Sequence, residues 1–158
     1  METVIELQNV SKKFKNNLII ENLSISIPLN QVTAIVGKNG SGKSTLLKMI
    51  GGLIKPDTGE ILFHTKEHVT IGYVPETTPV VIPFTLAEYL THMGKIRGLT
   101  NEQLENQINK LLKIFDMENG RDIRIVHFSK GMKQKAAIMQ AMLEETDLLI
   151  MDEPLSGL

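Results

Sequence analysis

Val32-Thr33-Ala34-Ile35-Val36-Gly37-Lys38-Asn39-Gly40-Ser41-Gly42-Lys43-Ser44-Thr45 runs from an apolar stretch through a glycine-spaced polar loop into the start of an amphipathic segment. Residues 32 to 36 lack polar alternation and read as a strand buried on both faces. Leu46, Ile50 and Leu53 then recur at i, i+4 and i+7, the spacing of one helix face. Between the two, the glycines at 37, 40 and 42 allow a tight turn that aims backbone N–H groups at an anion, and the positive end of the following helix favours the same charge. Lys43 suits the β- and γ-phosphates of a nucleotide, and the Ser44 hydroxyl suits Mg²⁺. Strand, loop and helix together are expected to form a nucleotide-phosphate cradle.

Around this unit, Val4 to Val10, Leu18 to Ile20, and Leu23, Ile25 and Ile27 alternating with Ser24 and Ser26 predict a half-exposed antiparallel layer. Pro56-Asp57-Thr58-Gly59 is a turn, Glu60 to Phe63 a short strand, and Val69 to Val74 a further strand stopped by Pro75. Thr85-x-x-Glu88 and Thr100-x-x-Gln103 both fit a capping box. Leu104, Ile108, Leu111, Leu112 and Phe115 keep one face of the second helix apolar. A last helix is expected from Lys130 to Glu145 with Met132, Ala136, Met139 and Leu143 on one side, followed by a buried strand, Leu148 to Met151. The methionines read as core filler.

Composition excludes several classes. The chain has 158 residues, 42% of them hydrophobic and 22% charged, which suits one α/β domain with a real core. A net charge of −1, with no Lys/Arg cluster interleaved with aromatics, argues against nucleic acid as a partner. The absence of cysteine excludes a disulfide framework and a thiolate metal site and fits a reducing, cytoplasmic setting. Acids at Glu2 and Glu6 do not suit a signal peptide, and no apolar run approaches the ~18 residues of a spanning helix, so membrane contact is expected only through a partner.

Two further segments carry chemistry. Asp152 and Glu153 follow an apolar run, where open α/β sheets place their ligands, and successive strand residues point oppositely, so one acid can face Mg²⁺ and the other an attacking water. Taken alone, they read equally well as solvated turn acids. Phe128-Ser129-Lys130-Gly131-Met132-Lys133-Gln134 opens a helix with a hydroxyl and N–H groups; by itself it is an ordinary N-cap.

Taken in order, these segments resemble the nucleotide-binding domain of ATP-binding cassette (ABC) transporters. The resemblance spans essentially the whole chain, and residues 128–134 resemble that family's Leu-Ser-Gly-Gly-Gln signature. It implies a P-loop NTPase fold: a mainly parallel central sheet, an N-terminal antiparallel β layer and a small α-helical subdomain. Residues 1–82 and 127–158 would form the core and residues 83–126 the helical part of a single domain. It also implies an ATP sandwich between two such domains, homo- or heterodimeric, in which Gly37, Asn39, Gly40, Ser41, Gly42, Lys43, Ser44 and Thr45 of one subunit and Ser129 and Gly131 of the other hold the nucleotide. Phe14 matches the aromatic that stacks on adenine. Ile71-Gly72-Tyr73-Val74-Pro75-Glu76 matches the glutamine loop, with Glu76 where most members carry Gln. Mg²⁺ would be held by Ser44, Asp152 and Glu76, and Glu153 would polarise the attacking water with Lys43 neutralising phosphate charge. The implied activity is ATP hydrolysis coupled to transport, in the export direction, by a transmembrane permease subunit at the inner face of the cell membrane. A soluble ABC ATPase of repair or translation, or a binding module without turnover, are the alternatives.

The sequence departs from the pattern at Phe128, Lys130 and Met132 of the signature, and at Glu76. These departures resemble a bacterial exporter-like subgroup. Ser156-Gly157-Leu158 opens the family's dimer-contact loop, and its switch histidine, together with the strands around it, would lie beyond Leu158. His64, His68, His92 and His127 all precede Asp152 and read as structural or surface residues. A fragment of a longer protein is therefore expected, with a sheet that lacks a central strand.

Overall fold

The computed structural model describes residues 2–64, 69–77 and 83–153; His68 and the Ser156-Gly157-Leu158 loop lie outside them. It divides into two compact units, residues 1–69 and 70–158. In the first, β1 (Thr3–Phe14) pairs antiparallel with β2 (Asn17–Pro28) on one side and β3 (Thr58–Phe63) on the other. The expected alternation holds in β2, where Ile27 is buried, Leu23 and Ile25 are half-buried, and Ser24 and Ser26 face outward. On β1, Val4, Ile5, Leu7 and Val10 are buried. The strands run longer than their apolar cores because hydroxyls repair the ladder at its irregularities: the Asn9 amide donates to Ser24 Oγ and the Asn22 amide to Ser11 Oγ, each at 2.9 Å. Helix α1 (Lys43–Ile50) buries Leu46, Met49 and Ile50, while Leu53 of the expected stripe is exposed beyond its end.

Residues 32 to 36 depart from expectation. They form no strand, and Val32 and Val36 are 100% and 91% exposed. An apolar run becomes a strand only when a neighbour takes its N–H and C=O groups, and none of the five described strands pairs with it.

In the second unit, β4 (Ile71–Val74) and β5 (Leu148–Met151) form a two-stranded parallel sheet in register from Ile71↔Leu148 to Val74↔Met151. Both predicted capping boxes close. The Thr85 hydroxyl accepts from the Glu88 amide at 3.2 Å at the start of α2 (Leu86–Ile96), and the Thr100 hydroxyl accepts from the Gln103 amide at 3.2 Å at the start of α3 (Asn101–Ile114). Leu86, Leu90, Leu104, Ile108, Leu111 and Leu112 share one apolar cluster with Phe128, Ala136, Met139 and Leu143 on and around α4 (Lys130–Ala141). The other side of α4, Ala137 and Ala141, packs on Val74 of β4. Helix α4 stops before the expected Glu145, since Glu144 and Glu145 oppose the negative end of a helix dipole. Gly72 lets β4 approach this helix end, because a Cβ there would collide with the Ala141 carbonyl oxygen.

Candidate functional site

The loop from Gly37 to Ser44 is held closed by its own lysine. Lys43 Nζ donates to the carbonyls of Gly37 and Lys38 at 3.0 and 3.1 Å, and the Ser41 amide donates to Lys38 O at 3.2 Å. Gly42 caps α1 at φ 91°, in the left-handed region, and a Cβ there would lie 3.0 Å from Ile19 Cγ2 and 3.2 Å from the Ile19 carbonyl. Conformation and space therefore both demand glycine at this position. No acidic side chain stands in the first turn of α1, and the first helical bond runs from the Leu46 amide to Gly42 O. The helix thus begins with the orphan amides and partial positive charge that suit an anion. A cleft of about 330 Å³ opens beside the loop, lined by Ile19, Ile20 and Leu23 of β2, by Ile35 and Val36, and by Gly37, Ser41, Gly42, Lys43 and Leu46. Phe14 stands at the tip of the β1–β2 hairpin, outside that lining, and is 47% exposed.

The second unit gathers the acids. Asp152 and Glu76 both lie just beyond the carboxyl ends of the paired strands β5 and β4. Asp152 is the one charged side chain buried among the described residues, at 3% exposure. Its amide donates to Val74 O at 2.9 Å, and the Tyr73 hydroxyl donates to its Oδ2 at 3.4 Å. Burial first, and the Asp152 charge second, push the Tyr73 phenol up to about 12. Glu153 is exposed. The two acids do occupy opposite environments, but a turn rather than strand alternation separates them: β5 ends at Met151 and Glu153 adopts φ 52°. A non-glycine residue held in that region is strained, by a cost of about 1–3 kcal/mol.

Ser129 caps α4, its hydroxyl accepting from the Met132 amide at 3.2 Å. The hydroxyl expected to meet an anion therefore also fixes the helix start. A Cβ on Gly131 would meet nothing within 4 Å, so this turn can be approached closely from outside. Sequence reasoning missed Tyr73 as the partner of Asp152 and Asp57 as the partner of Lys12, both long-range contacts that carry no local pattern, and it missed the short-range seat of Lys12 over the Phe14 ring.

A glycine-turned loop closed by its lysine, and a buried acid at a parallel strand end, are what a phosphate-handling α/β fold provides. The chain belongs to the ABC transporter family, whose profile, described as ABC transporter, matches residues 20–156. It is 36% identical over 157 residues to the zinc import ATP-binding protein ZnuC of Rickettsia bellii (strain RML369-C), covering 98% of this chain and 64% of that protein. It is 35% identical over 164 residues to the ABC-type transporter ATP-binding protein EcsA of Bacillus subtilis (strain 168), covering 99% and 66% respectively. With the Nod factor export ATP-binding protein I of Cupriavidus metallidurans it shares 29% identity, covering 100% of this chain and 55% of that protein. These names include both import and export. A solved ATP-binding subunit of an ABC transporter superposes with a TM-score of 0.84 at 32% identity, over 98% of this chain and 68% of that one. The ADP conformation of an ATP-binding cassette of an ABC transporter gives 0.86 at 25%, over 100% and 71%. The chain spans less than two thirds of the length of the three curated relatives named here.

Proposed function

We propose that this chain is the nucleotide-binding part of an ABC transporter motor, binding ATP with Mg²⁺ and hydrolysing it to drive a separate membrane-spanning subunit. The observation that carries the reading is the loop closed by Lys43 around Gly42, in a chain that matches the family over most of its length. When phosphate enters, Lys43 exchanges the Gly37 and Lys38 carbonyls for phosphate oxygens, and the first-turn amides of α1 supply further donors. The donors Ser44, Asp152 and Glu76 are all oxygen, the class a hard cation such as Mg²⁺ takes alongside substrate phosphates. An ion held by these residues would neutralise charge building on the phosphoryl oxygens.

Glu153 accepts a hydrogen bond from water, whose oxygen attacks the terminal phosphorus. The bond to the bridging oxygen breaks, ADP leaves with that electron pair, and the water proton passes to the carboxylate. A second cassette would close the site with Ser129 and Gly131, which fits the open approach at Gly131. No helix among the described residues is long and apolar enough to cross a membrane. In this reading the chain sits at the cytoplasmic face and meets the membrane through its permease partner, which defines the cargo path. Glu153→Gln should keep equilibrium ATP binding but lower turnover roughly 10²- to 10⁴-fold, the usual scale of a general base. Unchanged turnover removes that assignment. Lys43→Ala should weaken nucleotide binding itself, and normal affinity in a titration would count against the loop.

A further inference from the structure

The hairpin that carries Phe14 outruns its sheet. Pairing of β1 with β3 stops at Ser11↔Thr58, whereas pairing with β2 continues through Lys12↔Ile20 and Lys13↔Leu18 to Phe14↔Asn17. Residues 12 to 14 thus belong to a two-stranded ribbon, an arrangement marginal in water without outside support. Asp57, read from sequence only as a turn residue, supplies that support. Its amide donates to Ser11 O at 2.9 Å, its Oδ2 accepts from the Lys13 amide at 2.7 Å, and its Oδ1 accepts from Lys12 Nζ at 2.8 Å. Gly59 makes the approach possible: at φ 78° it lies against the Gln8 and Asn9 carbonyls, where any side chain would collide. The hydrogen bond from Lys12, then that from the Lys13 amide, hold the Asp57 carboxyl below its ordinary range, which keeps it ionised at neutral pH.

The same ammonium sits over the Phe14 ring, 5.6 Å from its centroid. Lys12 is tucked in, its side chain 14% exposed, while Phe14 remains 47% exposed. A ring has two faces, and a cation on one leaves the other for a flat partner. We infer that Lys12 and Asp57 are positioning residues that fix the hairpin tip and present the free face of Phe14 to the purine base of a nucleotide. The inference rests on the proposed nucleotide function and on the resemblance that aligns Phe14 with an adenine-stacking aromatic. Lys12 and Asp57 act through Phe14 and touch no reacting atom.

Titration of the full chain with two probes, MgATP and inorganic tripolyphosphate, separates base binding from phosphate binding. Phe14→Ala should weaken ATP binding roughly tenfold and leave tripolyphosphate unchanged, the scale of one lost base stack. Lys12→Met and Asp57→Asn should each weaken ATP binding about 3- to 10-fold with tripolyphosphate again unchanged. Lys12→Arg should restore ATP affinity, and neither Lys12→Met nor Asp57→Asn should add to the loss in a Phe14→Ala background. If Phe14→Ala weakens ATP binding but Lys12→Met and Asp57→Asn do not, positioning is overturned while the role of Phe14 stands. If Phe14→Ala itself leaves the two probes in their original ratio, base stacking falls and the inference with it. Equal loss of both probes in Lys12→Met would make Lys12 a phosphate contact and overturn the inference as well. Asp57→Asn keeps size and an acceptor for the Lys13 amide, so unchanged thermal unfolding of that variant separates positioning from loss of fold.

Discussion

Asp152 is nearly inaccessible, yet it keeps a phenol beside it, and this pairing sets a pH signature. The Tyr73 hydroxyl ordinarily ionises near 10.0 and here does so at about 12, chiefly because it is buried and secondly because a phenolate would face the Asp152 charge. A raised value means that the folded unit holds the neutral form after the unfolded chain has ionised. The stabilisation is therefore complete below pH 10 and is lost as pH climbs through about 12. Tyr73→Phe should flatten that alkaline fall, seen by comparing unfolding midpoints of the two proteins across the window. Asp152→Asn should bring phenol ionisation only part of the way back, followed by phenolate absorbance, because burial is the larger cause. A full return would mean that charge dominates. None of this was visible in the chain itself, since the two side chains stand 79 residues apart and neither sits in a pattern that announces the other.

At the scale of the element, the helices were legible because their determinants are local. Thr85 with Glu88 and Thr100 with Gln103 lie three residues apart, and both pairs close reciprocally at 2.8 to 3.2 Å. Their energy is modest beside the apolar cluster beneath them. Losing a Thr cap costs about 0.5–2 kcal/mol, whereas burying each Leu contributes about 1.5–3 kcal/mol. Thr100→Ala should accordingly lower the denaturant midpoint by an amount in the first range, and Thr100→Ser should largely restore it. No change would show that α3 is held by Leu104, Ile108 and Leu111 alone. The strands were read less well, for the opposite reason. β1 and β2 each run beyond their apolar cores because Ser11 and Ser24 hydroxyls take amides that bulges displaced, an arrangement set by partners across the sheet.

The whole molecule explains the largest miss. Residues 32 to 36 have the composition of a central strand, but strand formation is a property of pairs, and none of the described strands supplies a partner. The turn and helix start that follow were legible nevertheless, because Lys43 and the first turn of α1 make their contacts within a few residues of one another. Amides 33 to 36 should therefore exchange with solvent far faster than those of Ile5 and Leu7 in β1, measured by hydrogen exchange on this chain. Equal protection would mean that the segment has found a partner.

Helix α4 unites much of the second unit. It is about 18 Å long at the usual rise per residue, capped at one end by Ser129 and seated at the other, through Ala141, on a strand residue with no side chain to cushion it. The rod runs from the serine cap to Gly72, one residue from the tyrosine that leans on the buried acid, so any side chain placed at position 72 would have to lift the helix end off the strand.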